Sequence, residues 1–439
     1  MDTAYHFNSC AEDFDMYYLV QYFLKNIINF FFSLKVNFMF LKYIDNDEKW
    51  MEFLNYKIFS LYSYKKEKRL FSDYIINKKY KNITKQLLTN SYSFSVPYKT
   101  FVNKGNSSKK RVVYKFNNDE LIVLKYISYL LYDYDNLFTK NLYSFRKNIT
   151  MKDAIYKIKG LLDKNLYAYK VDISNYFNSI DKDILLNNLC NEVGDKELFN
   201  VINDIVSSDK VIYDDKITFE NKGILAGCPL SAFLANYYLK EMDSYFYKNN
   251  IIYFRYSDDI IIFCENKDKL IDYSNIVKNY LDKYKLKVNQ DKEFYYDKDD
   301  VIEFLGFSFY MGNIDISSNS INKAKSRIRR SSKKLRRQVE CNNLKLDEAV
   351  KIMIKKNDKK FYGNKREELS WKYWFFPAIN NTLGLETIDH YYQDCLRYLI
   401  TGKHNKMNYK LVPYSKLKSY GYKSLVHEYY DFKEKEKMN

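Results

Sequence analysis

The fold is decided by the stretch Ile251-Ile-Tyr-Phe-Arg-Tyr-Ser-Asp-Asp-Ile-Ile-Ile-Phe263. Two apolar segments rich in β-branched and aromatic residues flank the polar tripeptide Ser257-Asp258-Asp259, and this pattern predicts a β-hairpin with a tight turn. The turn exposes two adjacent carboxylates inside an otherwise apolar ribbon. Like charges repel at close range unless a cation compensates them. Taken alone, the pair is equally consistent with an ordinary polar turn.

A second strand pattern, well before the hairpin, also ends in a carboxylate. The residues Leu166-Tyr-Ala-Tyr-Lys-Val-Asp172 alternate as a strand does, and a helical pattern follows them. Two strands from distant parts of the chain can bring Asp172, Asp258 and Asp259 together on hard cations, which prefer oxygen ligands. Two Mg²⁺ ions suit in-line phosphoryl transfer, because one activates the attacking hydroxyl and the other stabilises the leaving group. The sequence therefore predicts a two-ion Mg²⁺ centre, with Mn²⁺ as a substitute.

The composition indicates a basic globular protein with a polyanionic partner. The chain has 439 residues, 46% of them hydrophobic, and a formal net charge of +17. Such a charge favours nucleic acid or an anionic membrane. The apolar stretch at residues 27–40 contains Asn29, Lys35 and Asn37, so it is too short and polar to span a bilayer, and no membrane partner is predicted. No signal peptide is recognisable, and the six scattered cysteines form no CxxC pair, which favours a cytoplasmic protein without a zinc module.

Several motifs resemble those of prokaryotic reverse transcriptases, and they follow the family's order. Residues 255–259 resemble the catalytic loop R-Y-[A/S]-D-D, and residues 172–181 resemble the first carboxylate motif. Residues 223–236 resemble the template and nucleotide motif G-x-P-Q-G-x-x-x-S. Weaker resemblances are the lysine segment 286–292, the primer grip 304–307, the basic fingers element 104–111 and the fingers motif 143–146. One tetrapeptide is weak evidence, whereas this ordered series is strong.

The resemblance implies an α+β fold of the right-hand polymerase type with an antiparallel palm sheet. It implies a helical N-terminal extension at 1–95, fingers at 96–165, a palm with finger insertions at 166–315, and a helical thumb and C-terminal module at 316–439. The resemblance implies functional roles only for residues within the motifs, because a fold by itself does not determine a function.

The resemblance also implies roles for individual residues. The catalytic residues would be Asp172, Asp258, Asp259 and Lys292, the lysine being the one thought to protonate pyrophosphate. The metal ions would be held by Asp172, Ile173 and Asp258. The incoming nucleotide would contact Lys104, Arg111, Phe177 and Gly227. The primer and template would contact Tyr256, Phe304, Leu305 and Gly306.

Physical arguments accompany these roles, and structural alternatives stay open. Phe177 would clash with a 2′-hydroxyl and so select deoxynucleotides, but it is also a plausible core aromatic. Lys104 and Arg111 suit a triphosphate, although either could be a solvated charge, as could Lys292. Phe304 is an equally good core residue.

One motif departs from the family pattern. Leu225-Ala226 stand where the family usually has Pro-Gln before the second glycine. The glutamine normally contacts the incoming nucleotide, so its absence puts ordinary processivity or template fidelity in doubt.

A long helix of one charge sign is predicted directly after the primer grip. Ile321, Ala324, Ile328 and Leu335 fall at helical spacing, and no acid appears until Glu340. A solvated helix normally mixes charge signs, so this one is predicted to lie along a duplex backbone as a thumb, the alternative being a merely solvated face. The central basic residues of this helix are Arg329, Arg330, Lys333 and Lys334.

The N-terminal helices and the C-terminal tail resemble those of the unknown group of bacterial reverse transcriptases, which includes abortive-infection and defence-associated enzymes. This resemblance implies anti-phage defence, a dedicated non-coding RNA as template, dNTPs as substrates and DNA as product, and it leaves a homo-oligomer open. Three alternatives remain: an untemplated or protein-primed DNA polymerase, an RNA-dependent RNA polymerase, and a non-catalytic RNA-binding scaffold.

Overall fold

The computed structural model describes residues 42–60, 65–103, 110–161, 164–221, 223–363 and 370–438. The apolar stretch at 27–40 and the fingers residue Lys104 lie outside these ranges. Within them, no helix combines the length and apolar composition that a membrane crossing needs.

The first group of helices lies in the first two thirds of the chain. In chain order they are α1 Asp47–Ser60, α2 Lys65–Ile76, α3 Lys81–Leu88, α4 Asn118–Leu130, α5 Met151–Lys159, α6 Tyr176–Ser179, α7 Lys182–Glu192, α8 Lys196–Ser207, α9 Ser231–Tyr238, α10 Lys240–Lys248 and α11 Lys267–Lys283.

The helices of the last third follow the final strand. They are α12 Ser318–Glu340, α13 Leu346–Tyr362, α14 Trp371–Trp374, α15 Leu383–Thr401, α16 Asn408–Leu411, α17 Tyr414–Ser419 and α18 Leu425–Met438. Short 3-10 helices occur at Leu131–Leu137 and Gln290–Lys292.

In the described part of the chain, the strands form three sheets. The strands are β1 Tyr98–Asn103, β2 Lys110–Lys115, β3 Tyr167–Asp172, β4 Lys210–Tyr213, β5 Lys216–Phe219, β6 Ile252–Tyr256, β7 Asp259–Cys264, β8 Phe294–Tyr296, β9 Ile302–Phe304, β10 Phe307–Tyr310 and β11 Asn313–Ile316. The palm sheet has the order β6-β7-β3-β8, the fingers sheet β2-β1-β4-β5 and the grip sheet β11-β10-β9.

The palm sheet is antiparallel throughout and separates two hydrophobic cores. Side chains that alternate along a strand point to opposite faces. Tyr169 and Ile260 pack into a core shared with the fingers and the N-terminal helices. Ala168 and Ile261 pack into a second core shared with the grip sheet and the C-terminal helices. Because both faces are covered, the strands are apolar almost throughout, and the carboxylates occur only at their ends.

The N-terminal helices join the first of these cores. The Trp50 ring on α1 stacks on Tyr80, with centroids 4.1 Å apart, and on Tyr126 of α4, at 3.8 Å. The Trp50 indole N–H donates to the Ile44 carbonyl at 2.9 Å, so this large side chain is buried with its polar atom satisfied.

The predicted fold class is confirmed: the protein combines antiparallel sheets with helical regions on either side in the chain. One detail differs from a purely antiparallel arrangement, because β1 pairs with β4 in parallel at Tyr98 and Ile212. The predicted domain boundaries stay a prediction.

Candidate active site

The carboxylate-bearing turn is the tip of the β6–β7 hairpin. Tyr256 pairs with Asp259, so Ser257 and Asp258 form a two-residue turn. Ser257 has φ +58°, the left-handed backbone that tight hairpin turns require. Asp172, the last residue of β3, pairs with Asp259 across the sheet, and the Ile173 N–H donates to the Asp258 carbonyl at 3.1 Å. This register sets all three carboxylates at one edge of the palm sheet.

The three side chains form a compact acidic cluster. One carboxylate oxygen from each of Asp172, Asp258 and Asp259 lies within 4.8 Å of the others, and no other group of three potential metal-ligand side chains in the described ranges lies so close together. Burial, and then repulsion by Asp258 and Asp172, raise the pKa of Asp259 to about 6. Burial and the Asp172 charge also raise the pKa of Asp258. Clustered, partly buried oxygen donors whose charges repel fit a hard divalent cation.

Lys292 provides a positive charge on one side of the cluster. Its Nζ donates to Asp172 Oδ2 at 2.7 Å, and the Asn289 side-chain amide donates to Asp172 Oδ1 at 3.0 Å. Burial, the largest single effect, lowers the pKa of Lys292. The hydrogen bond to Asp172 and the nearby negative charges of Asp172, Asp259 and Asp258 together outweigh it, so the pKa is raised overall. Half of the Lys292 side chain is exposed, so the amine can reach solvent and a ligand.

A buried brace holds the turn from behind. Arg255 is fully buried, its Nε donates to Asp243 Oδ1 at 2.7 Å, and a second nitrogen donates to the Ser257 carbonyl at 3.2 Å. The Ser257 N–H donates to Ser144 Oγ at 2.9 Å, and Ser144 in turn donates to the Asn236 side-chain oxygen at 2.9 Å. The buried charge pair therefore fixes the backbone that presents Asp258.

The sequence interpretation missed Asp243 as part of this site. The available signal was its place on α10, where Leu239, Met242 and Phe246 mark the buried side at helical spacing and Asp243 lies among them. A carboxylate on an apolar helix face needs a partner, and Arg255 is that partner.

The glycine segment 223–231 connects α6 with the fingers sheet. The Ile224 N–H donates to the Phe177 carbonyl at 2.8 Å, and the Tyr114 N–H of β2 donates to the Ala226 carbonyl at 2.8 Å. A Cβ on Gly223 would stand 2.5 Å from the Asn178 Cα, and one on Gly227 would stand 2.7 Å from the Tyr114 carbonyl oxygen. Both glycines have positive φ, so the close approach requires them.

Leu225 and Ala226 differ in their surroundings. Leu225 is buried in the first core and its carbonyl accepts from Ser231 Oγ at 2.8 Å. Ala226 is half-buried, and its methyl group offers no hydrogen bond to a nucleotide. No side-chain amide contact is therefore available at either position.

Phe177 and Arg111 are two further residues that the sequence predicts to bind the incoming nucleotide. Phe177 is half-buried on α6, five residues after Asp172, with its ring 5.8 Å from that of Tyr176. Arg111 is exposed on β2, and its charge is near enough to lower the pKa of Asp258. Both side chains are therefore accessible to a ligand.

The predicted primer-grip residues divide between core and surface. Phe304 is buried in the second core, so its ring is not available to a nucleic acid. Leu305 and Gly306 form the two-residue turn between β9 and β10, with φ +50° and +91°, and both are half-exposed. Within the segment 304–307, this turn is therefore the part that a ligand could reach. Tyr256 is half-buried beside Phe145, with ring centroids 6.3 Å apart.

The helix α12 begins at the grip turn and presents a basic face. The Ser317 N–H donates to the Gly306 carbonyl at 2.9 Å. Ala324, Ile328 and Leu335 are buried, and the opposite face is exposed. Among the residues described, seven exposed basic residues of α12 form no ion pair with a carboxylate: Lys323, Arg327, Arg329, Arg330, Lys333, Lys334 and Arg337.

Residues 102–309 match the family described as reverse transcriptase (RNA-dependent DNA polymerase). A putative COX1/OXI3 intron 2 protein of Saccharomyces cerevisiae is 27% identical over 172 residues, which are 39% of this chain and 20% of that protein. The chain thus aligns with about a fifth of the length of this relative.

Two solved telomerase structures resemble the fold at low sequence identity. Apo telomerase from Candida tropicalis has a TM-score of 0.42 at 14% identity, over 77% of this chain and 68% of that chain. Telomerase from Candida albicans, solved with a TWJ fragment of telomeric RNA, has a TM-score of 0.41 at 12% identity, over 82% and 70% of the two chains.

Proposed function

We propose, from the match of residues 102–309 to the reverse transcriptase family, that this protein is an RNA-directed DNA polymerase, which extends a DNA primer with dNTPs. The observation that carries the proposal is the cluster of Asp172, Asp258 and Asp259 within 4.8 Å at the edge of the palm sheet. Polymerases of this kind need acidic side chains that hold cations beside a primer terminus, and Asp258 and Asp259 are only half-buried.

The cluster would hold divalent ions, Mg²⁺ with Mn²⁺ as a substitute, through Asp172, Asp258 and the Ile173 backbone carbonyl. Bound there, the ions would help the primer 3′-hydroxyl lose its proton and would neutralise charge on the departing pyrophosphate. Asp259 adds negative charge to the cluster, and the buried Arg255–Asp243 pair keeps the turn in place for every cycle.

The protein's own cations would position the nucleotide. Arg111, exposed near Asp258, would bind the triphosphate, and so would Lys104, which lies outside the described residues. Lys292 would donate a proton to the pyrophosphate, and its hydrogen bond to Asp172 keeps it protonated until then. Phe177 would exclude the 2′-hydroxyl, and Gly227 would let the backbone approach the new base pair.

Primer and template would lie on the grip turn and on α12. Leu305 and Gly306 would contact the primer strand near Tyr256. Arg329, Arg330, Lys333 and Lys334 would neutralise phosphates of the duplex, and this contact is independent of sequence.

The test is primer extension on an RNA template with purified protein. Asp258→Asn and Asp172→Asn should reduce DNA synthesis at least 1,000-fold, or about 4 kcal/mol of transition-state stabilisation, with an unchanged circular dichroism spectrum. Asp272→Asn, which removes an exposed carboxylate of α11, is the matched control and should retain full activity. Synthesis at near wild-type rate by either cluster variant would refute the assignment.

The biological role is the finer part of the proposal. We expect a cytoplasmic bacterial enzyme of anti-phage defence that copies a dedicated non-coding RNA, because the N-terminal helices and the C-terminal tail resemble those of the group that includes defence-associated reverse transcriptases. Sequencing the RNA and DNA that co-purify with the protein should recover one abundant RNA and its complementary DNA. A random sample of cellular RNA would contradict the dedicated template.

The residue pair Leu225-Ala226 favours a second candidate, an untemplated or protein-primed DNA polymerase. With a leucine buried in the core and a methyl group in place of an amide, no side chain at these positions can contact the incoming nucleotide through a hydrogen bond. Incubation with dNTPs and no template distinguishes the two: DNA that forms under these conditions, and that stays attached to the protein after denaturation, would favour the second candidate.

A further inference from the structure

The C-terminal region contains a second basic segment, separate from α12. No Asp or Glu occurs between Asp394 and Glu428, although the chain has 55 acidic residues. Within the described ranges, five exposed lysines of this segment pair with no carboxylate: Lys403, Lys406, Lys410, Lys416 and Lys418. We call residues 403–411 the lysine loop.

The lysine loop is held in one conformation and still exposes large apolar groups. The Lys403 carbonyl accepts from Asn408 Nδ2 at 2.6 Å, and the Arg397 guanidinium lies 4.3 Å from the centre of the Tyr409 ring. Met407, Tyr409 and Leu411 are 52%, 54% and 61% exposed. Internal hydrogen bonds therefore fix a surface that combines positive charge with exposed apolar side chains.

The loop lies at the far end of α12 from the grip turn. α12 and α15 run in parallel. Lys325 of α12 lies over the Tyr391 ring of α15, and closer to the C-terminal ends of both helices Arg336 donates to the Leu399 carbonyl. Gly402, where α15 ends, packs against Arg336 so closely that a Cβ would stand 2.6 Å from its Nη2. The 23 residues of α12 span about 34 Å.

The two basic surfaces suit different forms of nucleic acid. The sequence of α12 contains no aromatic residue, so its exposed face offers charges for a duplex backbone. In the lysine loop, Tyr409 and its apolar neighbours accompany the charges. Bases stack on such side chains only when they are unpaired. A duplex that followed α12 from the grip turn would reach the loop after about ten base pairs, at roughly 3.4 Å each.

We propose that the lysine loop binds unpaired nucleotides of the RNA strand that extend beyond the duplex on α12, past the 5′ end of the DNA primer. This inference rests on the proposed function only in taking an RNA–DNA duplex as the ligand of α12. The ligand is RNA of any sequence, because phosphate contacts and stacking do not distinguish one base from another.

The experiment compares two RNA–DNA hybrids of ten base pairs, one blunt and one with six unpaired RNA nucleotides at the end remote from the primer 3′ terminus. Binding to the full chain is measured without dNTPs. The overhang should increase the affinity of the wild type at least tenfold. The combined variant Lys403→Glu, Lys406→Glu, Lys410→Glu should lose most of that increase while binding the blunt hybrid within twofold of the wild type. Its salt slope for the overhang hybrid should fall by about 2, or about 0.7 for each lost phosphate contact.

Two further variants separate stacking from charge. Tyr409→Ala with Leu411→Ala should reduce the gain from the overhang at least fivefold without a change in net charge. Lys351→Glu, Lys355→Glu, Lys359→Glu reverses three exposed lysines of α13 and is the matched control, which should keep the gain.

Three results would overturn the inference: no gain from the overhang in the wild type, an equal loss in the α13 control, or a loss of binding to phosphatidylserine vesicles with RNA binding intact. A chain that binds the overhang through the loop but synthesises no DNA would refute the proposed function alone. A chain that synthesises DNA but gains nothing from the overhang would refute this inference alone.

Discussion

At the scale of single residues, the fold holds Asp259 close to two other carboxylates, and a bound cation would relieve the repulsion between their charges. The Asp259 backbone is fixed by pairing with Asp172, and its side chain is partly buried beside two other carboxylates. Neither carboxylate can move away without breaking the register of the palm sheet. The repulsion therefore helps to raise the pKa of Asp259, and it makes the stability of the fold depend on pH and on bound metal.

Asp259→Asn should stabilise the metal-free protein at neutral pH. In the folded protein Asp259 has a pKa of about 6, which lies above the value in the unfolded chain. The folded protein therefore stays protonated at Asp259 up to a higher pH, and its free energy of unfolding falls as the pH rises from about 4 to about 6. Removing the charge should add about 2 kcal/mol to the free energy of unfolding near pH 7.5 and nothing near pH 4. Urea unfolding in EDTA measures this. Millimolar Mg²⁺ should stabilise the wild type more than the variant, because the variant keeps Asp172 and Asp258 but loses one negative charge of the cluster, while Asp272→Asn should behave as the wild type does. The same stability difference at both pH values would contradict the argument.

Phe177→Ala should relax sugar selection. The ring is half-buried on α6, whereas the link to the glycine segment uses the Phe177 carbonyl, which the substitution keeps. We expect ribonucleotide incorporation relative to dNTPs to rise at least tenfold, about 1.4 kcal/mol of discrimination. The measurement is single-nucleotide incorporation with dNTP and NTP. Phe294→Ala, which removes an exposed ring of β8, should leave the ratio unchanged. A constant ratio in the Phe177 variant would assign the steric gate to another residue.

At the scale of elements, the glycine segment joins the palm to the fingers by contacts between backbones. Gly223 meets α6 and Gly227 meets β2, and in both places another backbone occupies the space of a Cβ. Backbone atoms cannot rotate away as a long side chain can. The spacing of the fingers from the catalytic edge is therefore set by these two positions.

Gly223→Ala should destabilise the protein much more than Gly421→Ala. Both glycines have positive φ, at +77° and +94°, but a Cβ on Gly421 meets nothing within 4 Å. The control therefore reports only the backbone conformation, which costs about 1–2 kcal/mol, and Gly223→Ala adds a clash with Asn178. We expect the difference to exceed about 1 kcal/mol in urea unfolding, together with a loss of DNA synthesis. Equal destabilisation would show that the segment can shift.

Charge reversal on α12 should weaken duplex binding and flatten its salt dependence. With Arg329, Arg330, Lys333 and Lys334 changed to Glu, each lost phosphate contact should lower the log–log salt slope by about 0.9 on a duplex. Helicity should survive because the buried residues Ala324, Ile328 and Leu335 are untouched. Fluorescence anisotropy across a salt series gives both quantities, and the α13 variant described above is the control. Unchanged binding would show that this face is only solvated.

At the scale of the whole molecule, the sequence predicted the elements that have a local signal. The β6–β7 hairpin, the strand that ends at Asp172 and the helix after the grip are all readable from periodicity and turn residues. The convergence of the three aspartates was predicted from two distant strand patterns that each meet carboxylates at one end and from the need to compensate adjacent charges, and the family resemblance implies the same arrangement. The roles of individual site residues stay predictions until they are tested.

The rest depends on contacts between distant segments, which have no local pattern. The parallel pairing of β1 with β4 joins Tyr98 to Ile212, and the brace joins Ser144 to Ser257. Burial of Phe304 was one of two open alternatives, because a phenylalanine at a hairpin suits both a core and a nucleic-acid contact. Only the packing of the grip sheet against the C-terminal helices decides between them.

The junction between the grip turn and α12 has a mechanical consequence. The Gly306 carbonyl accepts hydrogen bonds from the Ser317 N–H and from Ser320 Oγ, so the turn is fastened to the first residues of a helix about 34 Å long. A tilt of the helix would therefore also move the turn. If the departure of the product duplex from the far end tilted the helix, the turn beside the primer terminus would move as well. Release of the product and placement of the next 3′-hydroxyl would then occur in the same movement.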